Sequence, residues 1–387
     1  MFNRRGELFS PLFYNIMIEE ALKVKEEFLE TRDKLFNDSE LLKDAFKFSM
    51  QWSVLVEEYI LRILKDMKLN CAVASVGSFA RRELSPYSDI DVMFVFDKFG
   101  GNNQIIKDAV TVLWDSGIEV SHTVRDFSDI KKFLKEDLHT FTQFFETRFI
   151  CGNDKIYNEW NGKVLASLND NYKQMLIYEY FEDLRMRYQK YGDSAKVLEP
   201  NVKFTAGGLR DLQVIEWIYC LKNGLILNSQ NEITQTESFL EIMKKEKIIV
   251  PRAVNRLYES YKTLLSTRNY LHIVSGHKND RLEFHDQEKI AKLVGFGYGN
   301  WQLLMRRYFE ASNVIKRFTR TMMKRFEEEI SKPISDYLSY PLDDDFTIKG
   351  NVIYLASGKE LSMSVILRAF YYRGLHDARF DEHLRSN

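Results

Sequence analysis

Cysteine, proline and any surplus of one charge are scarce in this 387-residue chain. Its three cysteines, Cys71, Cys151 and Cys220, lie far apart with no C-x-x-C pair, so neither a disulfide framework nor a cysteine-based zinc site is indicated. They read as reduced, mostly buried thiols. A formal net charge of −1 at pH 7 provides no global basic field of the kind that duplex nucleic acid selects, which weighs against a nucleic-acid partner. Long apolar runs are missing too. The longest, such as Val92 to Phe96, is strand-length and far below the roughly 20 residues needed to cross a bilayer, so no membrane span is expected. The first residues, MFNRRGELFSPLFYN, lack the apolar core of a signal peptide, and the cytoplasm is the expected compartment. There is no internal repeat or low-complexity tract. What the chain does have is length and apolar content: at 45% hydrophobic residues it can build cores for two or three domains.

The apolar pattern changes along the chain. Up to about Lys68 it has helical spacing, as in Phe48, Trp52, Leu55, Tyr59 and Ile63. From Cys71 it turns to short runs, CAVASV, IDVMFVF and IEVSHTV, with a helix expected from Gln104 to Ser116. Helical period then returns in Lys173 to Tyr191, Asp211 to Lys222, Arg252 to Val274 and Gln302 to Ile330. In the last of these, Leu304, Tyr308, Ala311, Ile315, Phe318 and Met322 define one face. The expected order is a helical lead-in (1–70), a small α/β domain (71–165), a mostly helical domain (166–335), and a hairpin, FTIKGNVIYL, with a terminal helix from about Glu360 (336–387).

One stretch carries chemistry: GSFARRELSPYSDIDVMFVFD, Gly77 to Asp97. Residues two apart on a strand share a face, so Asp89 and Asp91 can converge on one hard cation, with Mg²⁺ (or Mn²⁺) suited to oxygen ligands and phosphates. Gly77 and Ser78 end a strand in a small-residue turn able to offer donors to phosphate. Arg81 and Arg82 could add charge for a leaving pyrophosphate. Glu119, in GIEVSH, is the candidate third acid of a metal site for in-line attack on an α-phosphorus. Each residue alone has an ordinary reading: a D-x-D is commonly a solvated strand start, and Glu83 could simply hold the turn.

The pattern G-S-x-x-R-x-E-L-x-P-Y-S-D-I-D resembles the signature of polymerase beta-type nucleotidyltransferases, in the form found in bacterial uridylyltransferases of the PII signalling protein. Two further blocks, YGDSAKVLEPNVKFTAGGLRDLQVIEWI and RNYLHIVSGHKNDRLEFHDQEKIAKLVGF, are similar to later segments of that family, in family order. The resemblance implies an α+β fold. A small mixed-sheet nucleotidyltransferase domain of the polymerase beta type would follow the helical lead-in and precede a larger, mostly helical second domain. It implies metal ligands at Asp89, Asp91 and Glu119, which are also the catalytic set, and a nucleotide-binding set of Gly77, Ser78, Arg81, Ser88, Asn201, Lys203, Gly207, Gly208, Arg210 and Asp211. For the residues from Asn201 to Asp211, the sequence leaves open whether they meet nucleotide or clamp the two domains. Asp280 and Arg281 read as an interdomain salt bridge.

The implied reaction is transfer of UMP from UTP to a tyrosine of a PII-like protein. Adenylyl or other nucleotidyl transfer, and a nucleotide-binding module without turnover, stay open; a tRNA nucleotidyltransferase lacks the expected local sequence. The family usually has G-G-Y-G-R-G-E-L where Ser78, Ala80 and Arg82 replace glycines, which puts a charged side chain at the expected mouth of the site. The HD hydrolase and ACT sensing domains of full-length relatives are not expected within 387 residues, so the chain reads as a stand-alone transferase or an N-terminal portion. The dipeptides His285-Asp286 and His376-Asp377 lack the further ligands that an HD site needs.

Overall fold

The structure, a computed structural model, describes residues 11–100, 103–136, 138–226, 233–297, 299–337, 339–349, 352–356, 359, 361–376, 378–381 and 384. These residues divide into two compact units, Met1–Thr319 and Arg320–Asn387. The border falls inside one continuous helix, earlier than the change of pattern near residue 335 suggests.

The lead-in forms α1 (Pro11–Phe36), α2 (Ser39–Leu42) and α3 (Ala45–Leu64). Helix α3 buries Phe48, Trp52, Val56, Ile60 and Leu64, one stripe at helical period. Leu55 and Ile63 lie at its half-buried edge. Phe28 and Phe36 pack on Trp52 with ring centroids 5.9 and 5.0 Å away, which fastens α1 to α3.

The next segment alternates: β1 (Ala72–Val76), α4 (Gly77–Ala80), β2 (Ile90–Phe96), α5 (Asn103–Asp115), β3 (Val120–Asp126), α6 (Phe127–Glu136), α7 (Leu138–Phe145), β4 (Thr147–Gly152) and α8 (Asp154–Ser167). The sheet order is β3-β2-β1-β4. β1 is antiparallel to β2 and β4, and β2 is parallel to β3, the crossover being made by α5, as a parallel pair requires. β2 is buried at every position but Asp91, so it reads as one apolar run broken by a single acid. Cys71 and Cys151 are free thiols whose pKa values burial pushes up to about 12 and about 11.

The helical part comprises α9 (Asp170–Tyr191), α10 (Leu209–Asn223), α11 (Gln235–Lys245), α12 (Pro251–Ser275), α13 (Phe284–Leu293) and α14 (Trp301–Tyr337). Helix α10 is buried almost all round, including Asp211, Gln213 and Glu216, which obliges those polar groups to find partners inside. Helix α11 starts with a capping box between Thr234 and Glu237. Helix α12 opens on Pro251 and ends at Gly276 in the left-handed region, the usual asymmetry of helix ends. On α14, Leu304, Tyr308, Ala311 and Ile315 are buried.

The second unit contains β5 (Ser339–Pro341), β6 (Phe346–Lys349), β7 (Val352–Leu355), α15 (Met363–His376) and β8 (Arg379–Phe380), with a sheet ordered β5-β6-β7-β8. Phe346, Ile348, Ile353, Val365 and Ala369 form its core. The expected hairpin is β6–β7. Glu360 and Asp377 lie outside the described residues. No helix among the described residues is long and apolar enough to cross a membrane.

Candidate active site

The antiparallel register of β1 and β2, Ser75 opposite Val92, sets the end of β1 beside the start of β2. Gly77 therefore lies against Asp91: a Cβ built on Gly77 would stand 3.7 Å from Asp91 Oδ2, and the residue has φ +60°. The glycine gives the left-handed turn and keeps the space beside the carboxylate clear. Burial, then the neighbouring Asp89, pushes the Asp91 carboxyl up to about 6. A carboxylate pair that resists shared ionisation is a donor set that a cation would relieve. One cation is already drawn in: the Lys278 ammonium, from the loop after α12, is ion-paired with Asp89. The residues thus fit a divalent metal by charge and oxygen donors.

Glu119 immediately precedes β3, as Asp89 precedes β2, and the parallel register begins one residue later with Ile90 opposite Val120. Glu119 is exposed and does not line the cavity described next. The residue in register with Asp91 is Ser121, which hydrogen-bonds it.

Beside Asp91 is a cavity of about 160 Å³, walled on the sheet side by Gly77, Ser78 and Arg81 and on the helical side by Lys203, Arg210 and Gln213. Burial, then the charges of Arg210 and Arg268, pulls the Lys203 ammonium down to about 6. Arg210 lies over the Trp217 ring, 4.7 Å from its centroid.

Arg81 is committed elsewhere as well as lining the cavity. Its Nη1 meets Glu146 at 2.7 Å and its Nε meets Glu83 at 3.2 Å. Burial opposes its charge, but Glu146 and Glu83 outweigh it and raise its pKa. Glu83 also accepts from Tyr261 Oη (2.8 Å) on α12 and from the backbone N–H of Thr236 (3.1 Å) on α11, so the turn after β1 is tied to two helices of the helical part. Arg82 does not stand at a mouth. It is buried, has φ 60°, and pairs with Glu57 of α3 at 3.3 Å, where Arg148 of β4 also binds at 2.5 Å. That φ suits glycine; here the pair with Glu57 holds an arginine in it.

Other residues of the expected nucleotide-binding set organise the backbone. Asn201 Oδ1 accepts from the N–H groups of Lys203 (3.1 Å) and Phe204 (2.8 Å). Asp211 is wholly buried and takes Arg187 Nη1 (3.0 Å), Tyr188 Oη (2.5 Å) and the Gly207 N–H (2.7 Å). Gly207, at φ +83°, leaves no room for a Cβ, which would fall 2.2 Å from the Ser312 carbonyl oxygen. A Cβ on Gly208 would meet three backbone oxygens at 2.7 to 2.9 Å. Ser88 donates its backbone N–H to Ser85 O (3.1 Å), and its Oγ is buried without a partner. The loop is a tight knot that sets out Lys203 and Arg210.

Asp280 does not itself bridge the two parts; it braces the two α12 side chains that do. It binds Arg268 Nε (2.6 Å) and His272 Nε2 (3.2 Å), while Arg268 Nη1 donates to Ser85 Oγ (3.2 Å) and His272 Nδ1 meets Pro86 O. Burial opposes the Asp280 charge; Arg268 prevails and holds it well below the usual carboxylate range. Arg281 pairs instead with Glu199 at 3.0 Å. Glu283, His285 and Asp286 could each bring one ligand atom within 4.8 Å of the others, with His285 exposed and Asp286 buried; Asp286 lies in the first turn of α13. Sequence reasoning passed over Gln213 and Glu146. A signal existed for the first: Arg210, Gln213 and Trp217 recur at three and four residues, one helix face, and all three line the cavity. Glu146 sits in FFETRF with no motif around it.

Residues 57–150 match the sequence model of the nucleotidyltransferase domain, so the chain carries a domain of that class. Residues 177–323 match the model described as GlnD PII-uridylyltransferase, and the resemblance read from the sequence holds for both parts. Among similar curated proteins is a bifunctional uridylyltransferase/uridylyl-removing enzyme of Haemophilus influenzae (strain 86-028NP), 27% identical over 353 residues, covering 88% of this chain and 39% of that protein. Another with the same name, from Pseudomonas aeruginosa (strain LESB58), is 29% identical over 292 residues, covering 74% and 31%. A third, from Hydrogenovibrio crunogenus, is 28% identical over 303 residues, covering 75% and 32%. The chain spans at most 39% of the length of these relatives.

Proposed function

We propose that the protein is a divalent-metal-dependent nucleotidyltransferase that moves UMP from UTP to a protein hydroxyl, a tyrosine of a PII-like signalling protein. The observation that carries this reading is one cavity in which Asp91, the Gly77–Ser78 turn, Lys203 and Arg210 meet, in a chain matched to a nucleotidyltransferase domain and to PII uridylyltransferases. Asp89 and Asp91 would hold Mg²⁺ or Mn²⁺, with Glu119 beside Asp89 as the third acid. Bound there, the metal supplies neutralisation of developing phosphate charge and acidifies the attacking hydroxyl.

The chain's own groups do the rest. Lys203, whose charge acts on Asp91, faces the triphosphate; burial disfavours its charge, and the arriving phosphate restores it. The hydroxyl oxygen bonds to the α-phosphorus, the bond to the bridging oxygen breaks, and pyrophosphate leaves with that electron pair. The hydroxyl proton goes to a carboxylate of the acidic set. Asn201, Gly207, Gly208 and Asp211 act by holding the loop that presents the cations.

The test is incubation with labelled UTP, Mg²⁺ and a PII protein, with ATP, CTP and GTP as alternative donors. Label should pass to the PII protein from UTP, and Asp89→Ala and Asp91→Ala should each lower the rate by at least about a hundredfold. No transfer by the unaltered protein, or undiminished transfer by both variants, refutes the reading.

A further inference from the structure

The cavity wall contains an acceptor whose orientation is dictated by its neighbours. Gln213, only 4% exposed, donates from Nε2 to Tyr261 Oη at 3.0 Å, and Tyr261 Oη donates to Glu83 Oε2 at 2.8 Å. The Glu83 carboxylate, paired with Arg81, can only accept. It takes the single hydroxyl proton of Tyr261, so the tyrosine oxygen must accept from Gln213, and the amide can present only its NH₂ on that side. Its Oε1 is thereby left over, buried and without a partner. An unpaired buried acceptor is costly unless a bound molecule brings a donor to it. Around it the cavity offers apolar and ring surface from Leu209, Leu265 and Trp217, and a donor from Arg210. These are the needs of a flat ring with an N–H between two carbonyls.

We infer that Gln213 is the residue that selects the base, its Oε1 accepting from the imide N–H of uracil, with the Arg210 guanidinium beside it as a donor for a flanking carbonyl. Cytosine presents a ring-nitrogen lone pair at the same place and is repelled by a fixed acceptor. The inference rests on reading this cavity as the nucleoside triphosphate site. Tyr261 and Glu83 then work as positioning residues: they keep the amide from turning over.

The experiment compares binding of UTP, CTP, N3-methyl-UTP and inorganic tripolyphosphate, with Mg²⁺, to the unaltered protein, Gln213→Met and Tyr261→Phe. The unaltered protein should favour UTP over both CTP and N3-methyl-UTP by at least about tenfold. Gln213→Met should collapse that preference while tripolyphosphate binding stays within about twofold. Tyr261→Phe frees the amide to flip and should shift the UTP-to-CTP ratio toward CTP. If the unaltered protein binds UTP but accepts N3-methyl-UTP equally, or if a folded variant keeps the full UTP-to-CTP ratio, the assignment of Gln213 is wrong while the nucleotide site stands. If neither UTP nor tripolyphosphate binds at all, the nucleotidyltransferase reading fails and takes the inference with it. The comparison of UTP with its N3-methyl form needs no variant, so a misfolded variant does not remove the test.

Discussion

Glu216 is wholly buried in α10; its Oε1 accepts from Gln235 Nε2 and its Oε2 has no partner. Burial, followed by repulsion from Glu83, pushes its carboxyl up to about 8 from the ordinary 4.5. With the folded pKa above the unfolded one, its contribution to stability is fullest below about pH 4.5. That contribution is lost as pH rises toward about 8, because the unfolded chain releases a proton that the folded chain keeps. The urea midpoint should therefore fall between pH 5 and 8, and Glu216→Gln should fall distinctly less; parallel profiles would show that this carboxyl does not titrate so. Where spacing alone fixes a placement the sequence was legible, as with Asp89 and Asp91 standing two apart at the start of β2. It was illegible where a partner distant in sequence decides the role. Nothing near Arg82 announces Glu57, and nothing near Gln213 announces that Tyr261 fixes its amide.

Among elements, the two ends of α10 require glycine for different reasons. Gly207 and Gly224 both have positive φ, +83° and +61°, but a Cβ on Gly207 would meet the Ser312 carbonyl at 2.2 Å, whereas one on Gly224 meets nothing within 4 Å. Gly224→Ala should cost about 1 kcal/mol, the strain of the left-handed conformation alone. Gly207→Ala should cost at least about 3 kcal/mol, since α14 or the loop must also move. Denaturant unfolding of both variants separates the two effects. The long helices and the strands β1, β2 and β3 follow from periodicity, but β4 does not. TRFICG opens with a polar pair, and its Arg148 is buried only because Glu57 and the carbonyls of Phe79 and Ala80 receive it. The sequence leaves open whether the G-G pair meets nucleotide, because close approach to a ligand and close approach to a neighbouring helix both call for glycine.

At the scale of the molecule, the cavity draws on both the sheet and the helical part of the first unit, which Glu83, Arg268 and His272 already join. Ligand binding should therefore slow hydrogen exchange together in Gly77–Ala80, the start of β2 and the first turns of α10. Exchange in the β6–β7 hairpin of the second unit should stay unchanged. Protection confined to the sheet side would mean that the helical wall takes no part in binding. The contact of Gly207 with Ser312 bears on how such a site tolerates change. Backbone there meets backbone and hydroxyl, with no compressible side chain as a gasket between loop and helix. Lys203 and Arg210 are thus carried on a rigid mount, and α14, which lends the cavity no wall of its own, is the gauge that sets their height.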